Sequence, residues 1–246
     1  MKEISSDHLK KYIKQQLLPT LAADGFHLYR PKRLIRIRDP FVDIISFQLS
    51  QYGSKRFYVH YSIKLLGDPL FDLSGYNLGY RLSNNRENGD ETDWVGMDAF
   101  QAQQAIDSVV DAYRKTISVW FNEVDSIAGF VFAYFIKNRT ASINNLQMAV
   151  AFHEAGEQNR ASWIVRDIIE NGDTENADYL EFCIAYQKSK EAEGIQSLLA
   201  DDRVLEYMKR KNKTLVVPDN DHKSAESLIG HWKQNNIEKY KFQKYL

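Results

Sequence analysis

The sequence contains a single cysteine and no long hydrophobic run, and both features exclude whole classes of protein. Cys183 has no second cysteine among the 246 residues with which to form a disulfide or a cysteine-based zinc site. Residues 127–136 form the most apolar segment, far shorter than the roughly 20 residues that span a bilayer. Residues 1–7 lack the apolar stretch of a signal peptide. We therefore expect a cytoplasmic protein that does not bind membranes.

Neither sign of charge predominates in the chain. The 32 lysines and arginines against 33 aspartates and glutamates give a formal net charge of -1, so no overall field would attract nucleic acid. The phosphate-binding loop, the dinucleotide fingerprint, the His-Glu-x-x-His motif and the nucleophile elbow are missing. The 6 histidines are scattered one at a time. We therefore predict a protein that is not an enzyme, has no catalytic residues, and needs neither a metal nor a cofactor.

Apolar and more polar residues alternate between residues 41 and 65, on both sides of a Tyr52-Gly53-Ser54 turn. This pattern predicts an antiparallel hairpin with one buried face and one polar face. Further strands are predicted at residues 27–29, 34–38 and 75–82. Residues 84–93 are polar and rich in turn formers, so they are predicted to form a loop.

Helical periodicity surrounds these strands. Residues 7–26 have the pattern of an amphipathic helix that Pro19 kinks or ends early and that Gly25 terminates. Asp98 is predicted to cap a long helix, with Gln101 in the capping-box position. We therefore expect residues 1–124 to form an α+β domain of two layers, an antiparallel sheet flanked by helices.

The period is helical almost throughout residues 125–246, which we predict to be an all-α region. Small, aromatic, turn and apolar residues recur there at positions that resemble the helical hairpins of tetratricopeptide repeats: Ala149, Phe152, Gly156, Ala161, Val165 and Ile168. A shift of about 34 residues gives a second set at Cys183, Tyr186, Ile195 and Leu199. Any all-α bundle with tight turns has a similar pattern, so either arrangement fits.

Short motifs in the first part of the chain carry a second resemblance. They are Leu9-Lys10-Lys11, Leu18-Pro19-Thr20-Leu21, Gly25-Phe26, Ile44-Ile45-Ser46-Phe47-Gln48 and Arg56-Phe57-Tyr58-Val59. This pattern resembles an uncharacterised bacterial family, a domain of unknown function, over residues 7–65 and onward toward the long helix. The resemblance implies an α+β domain without established catalytic residues, and it does not extend to the helices after Asp125. Small proteins of this kind resemble immunity proteins, which neutralise a toxin inside the cell that makes it.

An acidic segment precedes the long helix and contains Glu87, Asp90, Glu91 and Asp93, followed by Trp94. Its spacing does not match an EF-hand calcium loop. It is either a solvated loop or a partner-binding loop that carries one exposed aromatic. Such a loop would fit a basic active site on a toxin, because acidic charge speeds association and a central aromatic is a common hot spot.

The densest basic cluster lies on a predicted strand, where Arg36 and Arg38 share a face. Arginine forks suit phosphates, so these two residues are a candidate anion-binding site. A charged, solvated edge strand explains the same pattern. His60, predicted on the polar face of the hairpin, is the best candidate for a functional imidazole, although we expect an exposed strand histidine without a function.

Three functions remain open. The first is a non-enzymatic protein-binding protein, most concretely an immunity protein that occludes a toxin. The second is an adaptor or scaffold that binds a peptide through its helical hairpins, with Asn144, Asn145 and Gln147 on the concave face. The third is an enzyme with a dispersed phosphate-binding site where Arg36, Arg38 and His60 meet. We expect the first, since it agrees with the missing motifs and with the family resemblance.

Overall fold

A computed structural model describes residues 7–50, 56–68, 71–73, 78–82, 93–95, 98–137, 145–157, 160–165 and 225–246. The chain divides into two compact units. Unit 1 consists of residues 1–64, 73–125 and 243–246, and unit 2 of residues 65–72 and 126–242. The division after Asp125 lies next to the sequence-based boundary at 124. The chain passes from unit 1 to unit 2 at residue 65 and returns to unit 1 at residue 73. After the long unit 2 segment 126–242, residues 243–246 belong to unit 1 again.

Unit 1 is built on an antiparallel sheet, as predicted. Its strands are β1 (His27–Arg30), β2 (Arg33–Arg38), β3 (Phe41–Leu49), β4 (Arg56–Leu65), β5 (Leu78–Arg81) and β6 (Asp93–Val95). The first five follow one another across the sheet in chain order, and β6 pairs with the first part of β4. The short turn between β2 and β3 sets a register in which Arg36 faces Asp43 and Arg38 faces Phe41.

Strand β4 differs from the prediction in its burial. The alternation predicted a polar face open to solvent, but every side chain from Val59 to Leu65 is buried. His60 retains 5% of its accessible surface, Ser62 1% and Lys64 2%. The predicted exposure of His60 is therefore wrong. Period-two alternation identifies the two faces of a strand, but it does not reveal whether the polar face is covered.

Two long helices of unit 1 share an unusual construction. Helix α1 consists of α-helical Asp7–Tyr12, a π-helical turn Ile13–Leu17 and α-helical Leu18–Ala22. Helix α2 consists of Ala99–Ala112, a π-helical turn Tyr113–Ile117 and Ser118–Glu123, and it packs against α1. The predicted Asp98 cap is confirmed, because its carboxylate accepts a hydrogen bond of 2.8 Å from the Gln101 amide. Gly25 has a φ of +85°, which suits glycine at the end of α1.

From residue 126 onward the described part of unit 2 is helical, as predicted. It contains α3 (Ile127–Lys137), α4 (Asn145–Glu154), helical residues 160–165 and α5 (Ala225–Lys239). Gly156, with a φ of +76°, lies in the turn after α4, where the repeat pattern places a turn residue. Buried positions around this turn include Ala149, Phe152, Ala161 and Val165. The second set of repeat positions lies outside the described residues.

Gln147 corrects one detail of the adaptor hypothesis. It was expected on an exposed concave face, but its side chain is fully buried on α4. Asn144 and the side chain of Asn145 lie outside the part of the chain that the structure describes. The adaptor hypothesis therefore has no support from Gln147, since a buried amide is not available to a peptide.

Helix α5 holds a short segment of unit 2 through hydrogen bonds to main-chain carbonyls. The buried Asn236 donates from Nδ2 to the carbonyl oxygens of Leu66 at 2.8 Å and Asp68 at 2.9 Å. The Tyr240 hydroxyl donates to the carbonyl of Phe71 at 2.9 Å. These bonds satisfy the main-chain carbonyls of Leu66, Asp68 and Phe71, three residues that lie outside the strands.

Candidate binding site

Arg36 and Arg38, the predicted anion-binding arginines, converge on one carboxylate. Arg36 donates from Nε to Asp43 at 2.8 Å, and Arg38 donates from Nε and from a terminal nitrogen at 2.7 and 2.9 Å. Asp43 is fully buried on the neighbouring strand. A buried carboxylate that accepts three charge-assisted hydrogen bonds orients both guanidinium groups. Asp43 offsets one of the two positive charges.

The same arginines also contact the helices. A terminal nitrogen of Arg38 donates to the carbonyl of Val124 at 2.7 Å, and Arg36 donates to the carbonyl of Asp24 at 3.2 Å. The Arg36 guanidinium lies 4.9 Å from the ring centre of Phe26 and 5.4 Å from that of Phe121. These contacts indicate that the basic cluster joins the sheet to the ends of α1 and α2.

His60 lies on the opposite face of the sheet from these arginines. Tyr61 and Arg36 both contact the ring of Phe121 on α2, so their side chains point toward the helices. Neighbouring residues of a strand point to opposite faces, so His60 points away from them. Burial, together with the positive charge of Arg81, lowers the pKa of His60 to about 4. The prediction that Arg36, Arg38 and His60 form one site is therefore wrong, and His60 is uncharged at neutral pH.

Trp94 is not the exposed aromatic that the sequence predicted. It lies in β6 with only 5% of its surface accessible, and it stacks on Phe57, its partner in β4, with ring centres 6.4 Å apart. Asp93, assigned to the loop, begins the same strand. Glu87, Asp90 and Glu91 lie outside the described residues. Cross-strand stacking explains the burial of Trp94, and this contact is not visible in a local sequence window.

A pocket of about 330 Å³ opens on the helix-covered side of the sheet in unit 1. Three aromatic rings meet there: Tyr61 on β4, Tyr80 on β5 and Trp120 on α2. The Trp120 ring stands at 74° to Tyr61 and at 88° to Tyr80, with ring centres 5.1 and 5.5 Å apart. These are edge-to-face arrangements, which favour a well-defined placement of all three rings.

Two backbone features position these rings. Tyr61 and Tyr80 are direct partners across the β4–β5 ladder. Next to Tyr80, Gly79 packs so closely on β4 that an added Cβ would lie 2.5 Å from both the Ser62 Cβ and the Tyr61 carbonyl oxygen. The remaining lining residues come from α2, where Lys115 and Thr116 belong to the π-helical turn. Such turns add a residue to a helix and are frequent at functional sites.

Two of the residues that line the pocket are tyrosines with raised pKa values. Burial raises the pKa of Tyr61 to about 12, and it also raises the pKa of Tyr80. Both phenols are therefore protonated at neutral pH, and together with the Trp120 ring they form an aromatic floor. Val119 exposes 47% of its surface at the edge, between Lys115 and Glu123.

Sequence reasoning did not identify this pocket. Tyr80 and Trp120 fall on apolar stripes, which is the pattern typical of core residues, and Tyr61 is buried. The available signal was the spacing of Lys115, Val119 and Glu123, which lie four residues apart beside Trp120. An apolar residue between two charges, next to a tryptophan, marks the edge of a helix stripe where a surface site can form.

The resemblance to an uncharacterised family is confirmed by comparison with family models. Residues 17–123 match the family described as Domain of unknown function (DUF4304). The matched segment contains the whole sheet and the whole of α2, and therefore every residue of the pocket. It ends before α3, in agreement with the expectation that the later helices lie outside the resemblance.

No curated protein and no solved structure is significantly similar to the chain. In the described ranges, no helix is long and apolar enough to cross a membrane. Those ranges also contain no cluster of histidine, cysteine and carboxylate side chains arranged to hold a metal ion.

Proposed function

We propose that this chain is a non-enzymatic protein-binding protein, most concretely a cytoplasmic bacterial immunity protein that neutralises a toxin by occluding it. The observation that carries the proposal is the pocket of Tyr61, Tyr80 and Trp120 with the exposed Val119 at its edge. Tryptophan and tyrosine are the residues most enriched at binding hot spots. Surrounding polar groups exclude water around such a centre.

The rigidity of the floor supports the same function. The three rings hold one another, Gly79 fixes the spacing of the two strands, and the nearby Arg38–Val124 bond holds the sheet to the end of α2. A pocket that is formed before binding loses little conformational entropy when a partner docks. This property favours tight occlusion of a toxin.

The positions of Arg36, Arg38 and His60 give little support to the alternative of an enzyme with a phosphate-binding site. Arg36 and Arg38 direct their donors to Asp43 and to helix carbonyls, and His60 lies on the other face of the sheet. A phosphate-binding site needs converging donors that remain available to the ligand. The pocket itself offers two protonated phenols and an indole, which serve recognition.

Co-expression in a host that lacks the native system tests the proposal. Each protein encoded by a gene adjacent to the gene of this chain is expressed alone and together with the chain. Growth of the host and formation of a complex are then measured. We expect one of these proteins to stop growth when it is expressed alone. When the chain is also present, growth should continue and the two proteins should form a stoichiometric complex. If every neighbour is harmless or is toxic regardless of the chain, the immunity function is wrong.

The adaptor function is kept as a second candidate because of two exposed aromatics in unit 2. Phe132 on α3 exposes 68% of its surface, and Trp163 in helical residues 160–165 exposes 67%. Exposed rings of this size are common anchors for a partner. A partner lost with Trp163→Ser but retained with Val119→Lys would favour the adaptor, and the reverse result would favour occlusion by unit 1.

A further inference from the structure

We propose that the pocket receives an extended segment of the partner that carries an acidic residue, a central apolar or aromatic anchor, and a basic residue. This inference deepens the proposed function, on which it rests, by naming the chemistry of the bound segment. It follows from the two charges at the ends of the pocket and from the apolar surface between them.

The pocket carries opposite charges at its two ends. Lys115 and Glu123 both line the pocket and are both exposed, and neither forms an ion pair within the described part of the chain. Val119 lies midway between them on the same side of α2. The pocket therefore presents a positive end, an apolar middle and a negative end. A complementary partner has the opposite order of charges.

The distance between the two charges sets the length of the bound segment. Lys115 and Glu123 are eight positions apart on a helix, which corresponds to about 12 Å at roughly 1.5 Å per residue. An extended chain advances about 3.3 Å per residue, so residues four apart are about 13 Å apart. A five-residue extended segment therefore brings its outer side chains to the two charges. Its middle side chain then lies over Val119 and the ring of Trp120.

Three blocked pentapeptides test this arrangement on the full chain: Asp-Ser-Trp-Ser-Lys, Asp-Ser-Trp-Ser-Asp and Lys-Ser-Trp-Ser-Lys, each acetylated and amidated. Binding is followed by NMR at the Trp120 indole N–H, assigned with Trp120→Phe. We expect millimolar dissociation constants, because a short flexible peptide loses much entropy on binding. The mixed-charge peptide should bind about fivefold more tightly than either of the others.

Charge reversal at the two ends should change which peptide is preferred. Lys115→Glu makes both ends acidic, so the doubly basic peptide should become the tightest ligand. Glu123→Lys makes both ends basic, so the doubly acidic peptide should become the tightest. Arg114→Glu is the matched control, since it is exposed on the same helix but does not line the pocket, and it should retain the wild-type preference.

The outcomes separate this inference from the proposed function. Failure of all three peptides to shift the indole at millimolar concentration, or an unchanged order of affinities in both charge variants, overturns the inference. A toxin that is still neutralised by Lys115→Glu and by Glu123→Lys with unchanged affinity overturns it too, while leaving the proposed function intact. Switched peptide preferences without any neutralised toxin support the inference and contradict the immunity function.

Discussion

Arg38 on strand β2 donates a hydrogen bond of 2.7 Å to the main-chain carbonyl of Val124, the residue that caps the end of helix α2. The last carbonyls of a helix lack helical partners and lie at the negative end of its dipole, so a guanidinium is favourable there. Asp43 holds the same guanidinium from the sheet. The basic cluster on β2 therefore joins the sheet to the helix that lines the pocket.

Asp43→Asn should destabilise unit 1 strongly. The change removes the carboxylate that orients Arg36 and Arg38, both of which keep about a fifth of their side-chain surface exposed. Breaking a buried ion pair costs about 3 kcal/mol of unfolding free energy. Urea unfolding measures the loss, and Asp107→Asn, the same change at an exposed position of α2, is the control. Equal stability of the two variants would refute the structural role of the cluster.

Stability should depend on pH through His60. Its pKa is about 4 in the folded chain and near 6.5 when unfolded, so the unfolded chain binds more protons between these values. The free energy of unfolding therefore falls as the pH decreases through this window. The contribution of His60 is complete above about pH 6.5 and amounts to about 2 to 3 kcal/mol.

Comparison of the wild type with His60→Gln isolates this contribution. Urea unfolding of both proteins near neutral pH and near pH 4.5 should show a smaller acid-induced loss in the variant. Histidines common to both proteins cancel in this difference. An NMR titration in which His60 protonates near its ordinary pKa would contradict its burial.

Gly79→Ala should separate β5 from β4 and disturb the floor of the pocket. The added Cβ would lie 2.5 Å from the Ser62 Cβ and from the Tyr61 carbonyl oxygen, so the backbone of one strand would have to shift. We expect a loss of about 2 kcal/mol in unfolding free energy. Gly230→Ala on α5 is the control, because nothing lies within 4 Å of its added Cβ. Alanine is more favourable than glycine in a helix by about 1 kcal/mol, so this variant should not lose stability. A neutral Gly79→Ala would show that the two strands can move apart easily.

Asn236→Ala should destabilise unit 2. The substitution leaves the carbonyls of Leu66 and Asp68 without the donor that both now share. Loss of two buried hydrogen bonds costs about 2 kcal/mol, measurable by thermal or urea unfolding. The neighbouring Asn235 is exposed and bonds to His231 within the same helix, so Asn235→Ala should have little effect. If both substitutions are equally mild, the segment is not held through Asn236.

The features that sequence predicted correctly are local. The Asp98 cap and the Gly25 helix end depend on interactions within a few residues, which a sequence window contains. The strands of the sheet follow from alternation and turn residues. The α+β class follows from the order of these elements.

The features that sequence missed depend on pairing between distant residues. Strand β6 has three residues, and its pairing with Arg56–Tyr58 depends on a contact across nearly forty positions. The pocket needs Tyr61, Tyr80 and Trp120 to meet, and each looks like an ordinary core residue alone. The pairing of Arg36 with Asp43 could be predicted more easily from the sequence, because a two-residue turn at Asp39-Pro40 places these residues opposite each other.

The central claim is that the pocket binds the toxin. It is tested most directly by the affinity of the co-expressed toxin for two variants of this protein that differ in where a lysine is placed on α2. Val119→Lys places a charge at the apolar edge of the pocket, whereas Asn122→Lys adds the same charge on an exposed position of the same turn that does not line it. Calorimetric titration should show about a hundredfold weaker binding for Val119→Lys and wild-type binding for Asn122→Lys. Equal affinities for the two variants would contradict the claim that this pocket is the binding site.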